Sequence, residues 1–130
     1  MTETSAIIRF IHKDKNKLGR IRYYLDAKTR PSFDDEVPKE EISVFEAMEF
    51  SEVPVLISSP DNKTLNVYYE SAKESDLKEV IKTLSYFKPE TVYLFFQDDE
   101  EYKIYWQFID EKFIELYSNE DDRKIKGAKG

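Results

Sequence analysis

Hydrophobic and polar positions alternate most clearly between Thr91 and Ser118. Val92, Leu94 and Phe96 fall on one side of an extended segment, with Tyr93 and Phe95 on the other. Next, Tyr102, Ile104, Trp106 and Phe108 alternate with Lys103, Tyr105, Gln107 and Ile109. In a third segment Ile114 and Leu116 oppose Phe113, Glu115 and Tyr117. A period of two interrupted by acidic turn sequences predicts a three-stranded antiparallel meander. One of its faces is large and apolar and is expected to pack on helices. The other is aromatic and amphipathic, with Tyr93, Phe95 and Tyr105 as expected cross-strand neighbours.

Upstream, Ser5 to His12 also alternates, with Ala6, Ile8, Phe10 and His12 on one side. A basic loop follows, in which Gly19 is expected to supply a positive φ. Ile21, Tyr23 and Leu25 then face away from Arg20, Arg22 and Tyr24, which predicts the second strand of a hairpin. Leu18, Ile21 and Leu25 fit helical spacing as well, so a helix over 15–27 competes with that strand. Pro38 suits the first turn of a helix over Lys39 to Phe50, where a missing N–H costs nothing. Val53–Ser58 and Thr64–Glu70 flank Pro60-Asp61-Asn62-Lys63, a hairpin turn, and Pro54 marks the first strand as an edge or a bulge. Ser71 and Glu74 have the spacing of a capping box. Leu77, Val80, Ile81 and Leu84 then give an amphipathic stripe that Lys88-Pro89 ends. The order is ββαββαβββ: an α+β fold, mostly antiparallel sheet with two helices on one face. Residues 1–118 are expected to form one domain, frayed at Met1 to Thr4, and 119–130 a charged flexible tail.

Composition adds a boundary and a bias. The 130 residues are 40% hydrophobic and 15% aromatic, enough for a core, and contain no cysteine. Disulfides, thiolate zinc sites and cysteine nucleophiles are therefore excluded. No apolar run reaches the ~20 residues of a membrane span, and none near the start resembles a signal peptide, so a soluble, unexported, cytoplasmic protein is expected. The net charge of −7 is unevenly spread. Residues 1–30 are net +5, residues 31–122 net −16, and residues 123–130 net +4. An acidic body attracts basic partners and opposes nucleic acid.

Little chemistry is legible. His12 is the lone histidine, and the glycines are Gly19, Gly127 and Gly130, so no glycine-rich phosphate loop exists. No enzymatic activity, cofactor or metal is expected. The run Asp98, Asp99, Glu100 and Glu101 fits a solvated turn or a partner surface better than a metal cage, because consecutive acids in a tight turn diverge. With Asp34, Asp35 and Glu36 it forms the expected partner-binding set, and Tyr102 and Tyr105 are its candidate anchors. Trp106 reads as a core residue. Two other readings stand beside this one: an inhibitor mimicking the charge of nucleic acid, and an RNA-binding module using Lys13, Lys15, Lys17, Arg20 and Arg22 with Tyr23 and Tyr24. An equally good use of that basic segment is to lie against the protein's own acidic surface.

FFQDDEEYKIYWQF (95–108) and SFDDEVPKEE (32–41), in a small acidic cysteine-free chain, resemble the immunity proteins of bacterial polymorphic-toxin and contact-dependent growth inhibition systems. The resemblance is one of overall style and transfers no site residue. It implies a protein that binds a cognate toxin, often a basic nuclease, and blocks it.

Overall fold

A computed structural model describes residues 4–32 and 34–119. Strand β1 (Thr4–Ile11) leads into helix α1 (Lys15–Leu25). A 3-10 turn at Lys39–Glu41 runs into the short helix α2 (Ile42–Met48). The hairpin β2 (Leu56–Asp61) and β3 (Thr64–Glu70) precedes α3 (Glu74–Leu84). The meander then follows as β4 (Thr91–Asp98), β5 (Lys103–Ile109) and β6 (Lys112–Ser118).

The six strands of the described residues form one antiparallel sheet in the order β2-β3-β1-β4-β5-β6. β3 lies between β1 and β2, and β1 between β3 and β4, which is the split βαβ arrangement, extended at one side by the meander. The register aligns one apolar face: Ile8 sits opposite both Val67 and Leu94, and Phe10 opposite Leu65 and Val92. Phe96–Ile104 and Val92–Phe108 continue it into β5. The helices close that face with Leu18, Ile21, Tyr24 and Leu25 from α1, Val44 and Met48 from α2, and Leu77, Val80, Ile81 and Leu84 from α3. Their burial is the main stabilising term, at about 25 cal/mol per Å² of apolar surface.

The α+β class, the antiparallel sheet and the one-sided helical layer match the sequence reading. The expected second strand does not exist. Residues Lys15–Leu25 are helix, because the Asp14 carboxylate accepts from the N–H groups of Asn16 and Lys17 and so nucleates the first turn. Among the described residues there are accordingly three α-helices and one fewer strand than expected. Gly19 sits inside α1 with open space beside it, and its φ is not positive. Ser71 and Glu74 make no capping box: α3 begins after Lys73, with no side-chain cap. In β6 the core face takes Phe113, while Ile114 and Leu116 lie in the exposed set. The expected frayed residues 1–3 and the tail beyond Asn119 lie outside the described residues. Asn119 itself is tied in: its side chain accepts from the Lys103 N–H (2.8 Å) and donates to the Glu101 carbonyl (2.7 Å).

His12 is a buried staple. Its Nδ1 accepts from the Asp14 N–H (3.0 Å), so its Nε2 carries the proton and donates to the Phe87 carbonyl (2.7 Å). This joins the end of β1 to the 3-10 turn Ser85–Phe87 after α3.

Tyr69 is less well served. Its hydroxyl is buried with no hydrogen-bond partner among the described residues. Burial pushes its pKa well above the ordinary tyrosine value. An unfolded tyrosine ionises near pH ~10. The raised folded pKa means that the stability present below pH ~10 is lost as pH climbs beyond it. Tyr69→Phe is expected to raise stability at neutral pH by about 1 kcal/mol. Its advantage should widen above pH ~10. Urea unfolding at pH 7 and at alkaline pH checks both statements.

Candidate functional site

The expected partner residues divide among separate places. Asp98 builds the β4–β5 turn, its carboxylate accepting from the N–H groups of Glu100 and Tyr102 at 2.9 Å each. Asp99, Glu100 and Glu101 are exposed at the hairpin tip. Tyr102 packs against the core cluster. Tyr105 lies on the opposite face of the sheet, in register with Phe95. Asp34, Asp35 and Glu36 are exposed in the connection between α1 and α2, where the Asp35 carboxylate accepts from the Ser32 N–H (2.7 Å). Among the described residues no group of three or more His, Asp or Glu side chains is gathered so as to hold a metal ion.

Trp106 packs on the core side with Phe113, and the Lys78 ammonium stands 3.6 Å from its ring centroid. The basic segment expected to offer a hairpin to RNA is helical. Its Arg20 lies over the Tyr23 ring (4.5 Å) and forms an ion pair with Glu41, which also accepts from the Tyr24 hydroxyl (2.8 Å). Part of that basic charge is thus spent within the fold, against the acidic connection to α2.

A surface missed by the sequence reading lies where α2 hands over to β2. Phe50 is 91% exposed, and Val53, Val55 and Leu56 are each at least half exposed. Isolated exposed apolar residues are ordinary, but four large ones within seven positions form a patch. Their backbone is held firmly. Ser51 donates to the Met48 carbonyl from its N–H (3.1 Å) and its hydroxyl (3.0 Å), and Val55 N–H donates to Tyr68 (2.8 Å). The Arg30 guanidinium donates to the carbonyls of Tyr24 (2.9 Å), Ser51 (3.1 Å) and Glu52 (3.3 Å). Beside Phe50, a groove of about 250 Å³ runs between α2 and α3. Its apolar floor includes Met48 and Val80, and its ionisable walls are Glu52, Asp76 and Glu79, all acidic. The one signal in the sequence was the group Phe50, Val53, Val55 and Leu56 around Pro54, interrupted by Ser51 and Glu52.

The sheet face away from the helices carries a second apolar feature. Register places Leu56, Tyr68, Ile7, Phe95, Tyr105 and Tyr117 side by side, one from each strand. At ~4.8 Å per strand this row is about 24 Å wide. Tyr93 and Tyr105 stack next to it with centroids 5.9 Å apart. Leu56 belongs to both surfaces, so the exposed apolar path turns around the β2 edge.

No helix among the described residues is long and apolar enough to cross a membrane. Comparisons with protein-family models, curated proteins and solved structures find no match to this chain.

Proposed function

We propose that this protein is a non-enzymatic inhibitor that binds and neutralises a basic protein, acting as an immunity protein does toward its toxin. The observation that carries the reading is the apolar patch Phe50–Leu56 beside a groove whose charged walls are solely carboxylates. Apolar area supplies affinity once desolvated, and the carboxylates, of which Glu79 also pairs with Lys82 at its solvent side (3.5 Å), favour a cationic partner both at encounter and in contact. Phe50 is the anchor. Glu52, Asp76 and Glu79 complement the partner's Lys or Arg side chains. The exposed tip Asp99–Glu101 and the segment Asp34–Glu36 extend the negative field and contribute to steering. Arg30 and Ser51 hold the patch in a fixed shape, which lowers the ordering cost of binding.

The test uses the basic protein that co-purifies with the chain, repurified and titrated. The variant Glu52→Lys/Asp76→Lys/Glu79→Lys is expected to slow association by about 10–100-fold and to flatten its salt dependence. Phe50→Ala is expected to speed dissociation by at least about tenfold. Unchanged rates in both variants would reject this surface.

A further inference from the structure

The two edges of the sheet are unlike. β2 is closed to further pairing: Pro60 lies within it, its register with β3 shifts between Ser58 and Asp61, and Pro54 precedes it. Proline and irregularity are the usual protection of an edge. β6 has no proline and, among the described residues, no covering element, and its Ile114, Leu116 and Tyr117 are each close to half exposed.

The turn before β6 sets which backbone groups point outward. Asp110 and Glu111 have φ of 52° and 62°, the two-residue turn of type I′, and Ile109 faces Lys112 across it. Ile109 and Lys112 then exchange backbone hydrogen bonds, and so do Gln107 and Ile114 two residues on. Phe113 and Glu115 alternate with them, so their N–H and C=O groups point away from β5 into the open edge.

We infer that β6 is the pairing edge for a second copy of this chain, joined antiparallel about a twofold axis at Ile114. In that register Phe113 of each copy exchanges backbone hydrogen bonds with Glu115 of the other, using the groups the edge leaves open. Ile114 meets its own counterpart as a close, non-hydrogen-bonded pair. The charges agree with this placement. The Lys78 ammonium lies 5.2 Å from the Phe113 ring centroid, on the helix side of the sheet. Glu115 shares that side, being in register with Trp106, so the second copy's Glu115 arrives beside Lys78. On the outer side, the Ile114 pair continues the apolar face across the junction. A second copy satisfies this edge at every one of these points, and it does so independently of the patch at Phe50.

The absence of cysteine makes the register directly testable. In Ile114→Cys the two sulfurs would come from Cα atoms about 4.5–5.5 Å apart, within disulfide range. In Lys112→Cys the corresponding atoms would be about 14 Å apart, out of range. Under mild oxidation the first variant is expected to give a disulfide-linked dimer and the second none. Sedimentation of the unmodified chain is expected to show a concentration-dependent dimer. Glu115→Pro, which removes an outward N–H that β5 does not use, is expected to raise the dimer dissociation constant at least about tenfold. A chain that sediments as a monomer at every concentration, or cysteines that link equally at 112 and 114, would overturn the proposal. So would an edge occupied only by a strand of another protein.

Discussion

Phe10→Ala is expected to lower the unfolding free energy by about 3–5 kcal/mol. Phe10 is fully buried on β1, the strand between the two halves of the sheet, opposite Leu65 on one side and Val92 on the other. Its neighbours belong to paired strands and cannot collapse into the space, so the lost transfer energy and the cavity add together. Domains of this size typically hold about 5–15 kcal/mol in all. The variant should therefore sit close to the unfolding threshold at 37 °C. Urea denaturation followed by circular dichroism measures the change. A loss below about 1.5 kcal/mol would mean that the site relaxes far more than a strand-locked core allows.

The second large effect concerns Arg30. Arg30→Ala is expected to cost roughly 3 kcal/mol and to loosen the patch at Phe50. The guanidinium joins three stretches of backbone: the end of α1 through Tyr24, the turn after α2 through Ser51, and the approach to β2 through Glu52. Burial depresses its pKa somewhat, yet an arginine remains charged at neutral pH. Lysine, a point donor on a flexible stem, cannot serve three carbonyls in this plane, so Arg30→Lys should restore little of the loss. Hydrogen exchange at Val55, whose N–H donates to Tyr68, gives a local readout. Faster exchange there, with β1 and β4 unchanged after correction for global stability, is the expected signature. Unaltered exchange at Val55 would show that the patch is held by other contacts.

The inhibitor reading follows from where charge and apolar surface coincide. The sequence pointed to acids at Asp98–Glu101 and Asp34–Glu36, and these are exposed apart from Asp98, which is committed to its turn. What they lack is an apolar surface in the same element. Tyr102 and Tyr105 were expected to provide it, yet Tyr102, just before β5, packs against the core while Tyr105 lies on the opposite face of the sheet. Glu52, Asp76 and Glu79 come from two distant parts of the chain and meet only because α2 packs beside α3.

The legible parts of the fold were those in which a local period coincides with burial. The stripe Leu77, Val80, Ile81 and Leu84 is α3, and the alternation of Val92, Leu94 and Phe96 is β4. α1 was ambiguous because Leu18, Ile21 and Leu25 satisfy two periods. A cap at Asp14 and the burial of Tyr24 decided it. In β6 the expected alternation of Phe113 and Glu115 against Ile114 holds, but Tyr117 changes face because the register shifts near Tyr105 and Trp106, and pairing irregularities leave no mark in composition.

By itself, then, the sequence determined the α+β class, the meander, the amphipathic α3 and an acidic surface with no cysteine chemistry. Each follows from periodicity or composition, which are local properties. Tertiary structure alone decided the strand order, that β2 is a closed edge and β6 an open one among the described residues, and that Phe50 stands exposed above a carboxylate-walled groove. Those are matters of what lies opposite each residue, and that is settled only when distant segments pack.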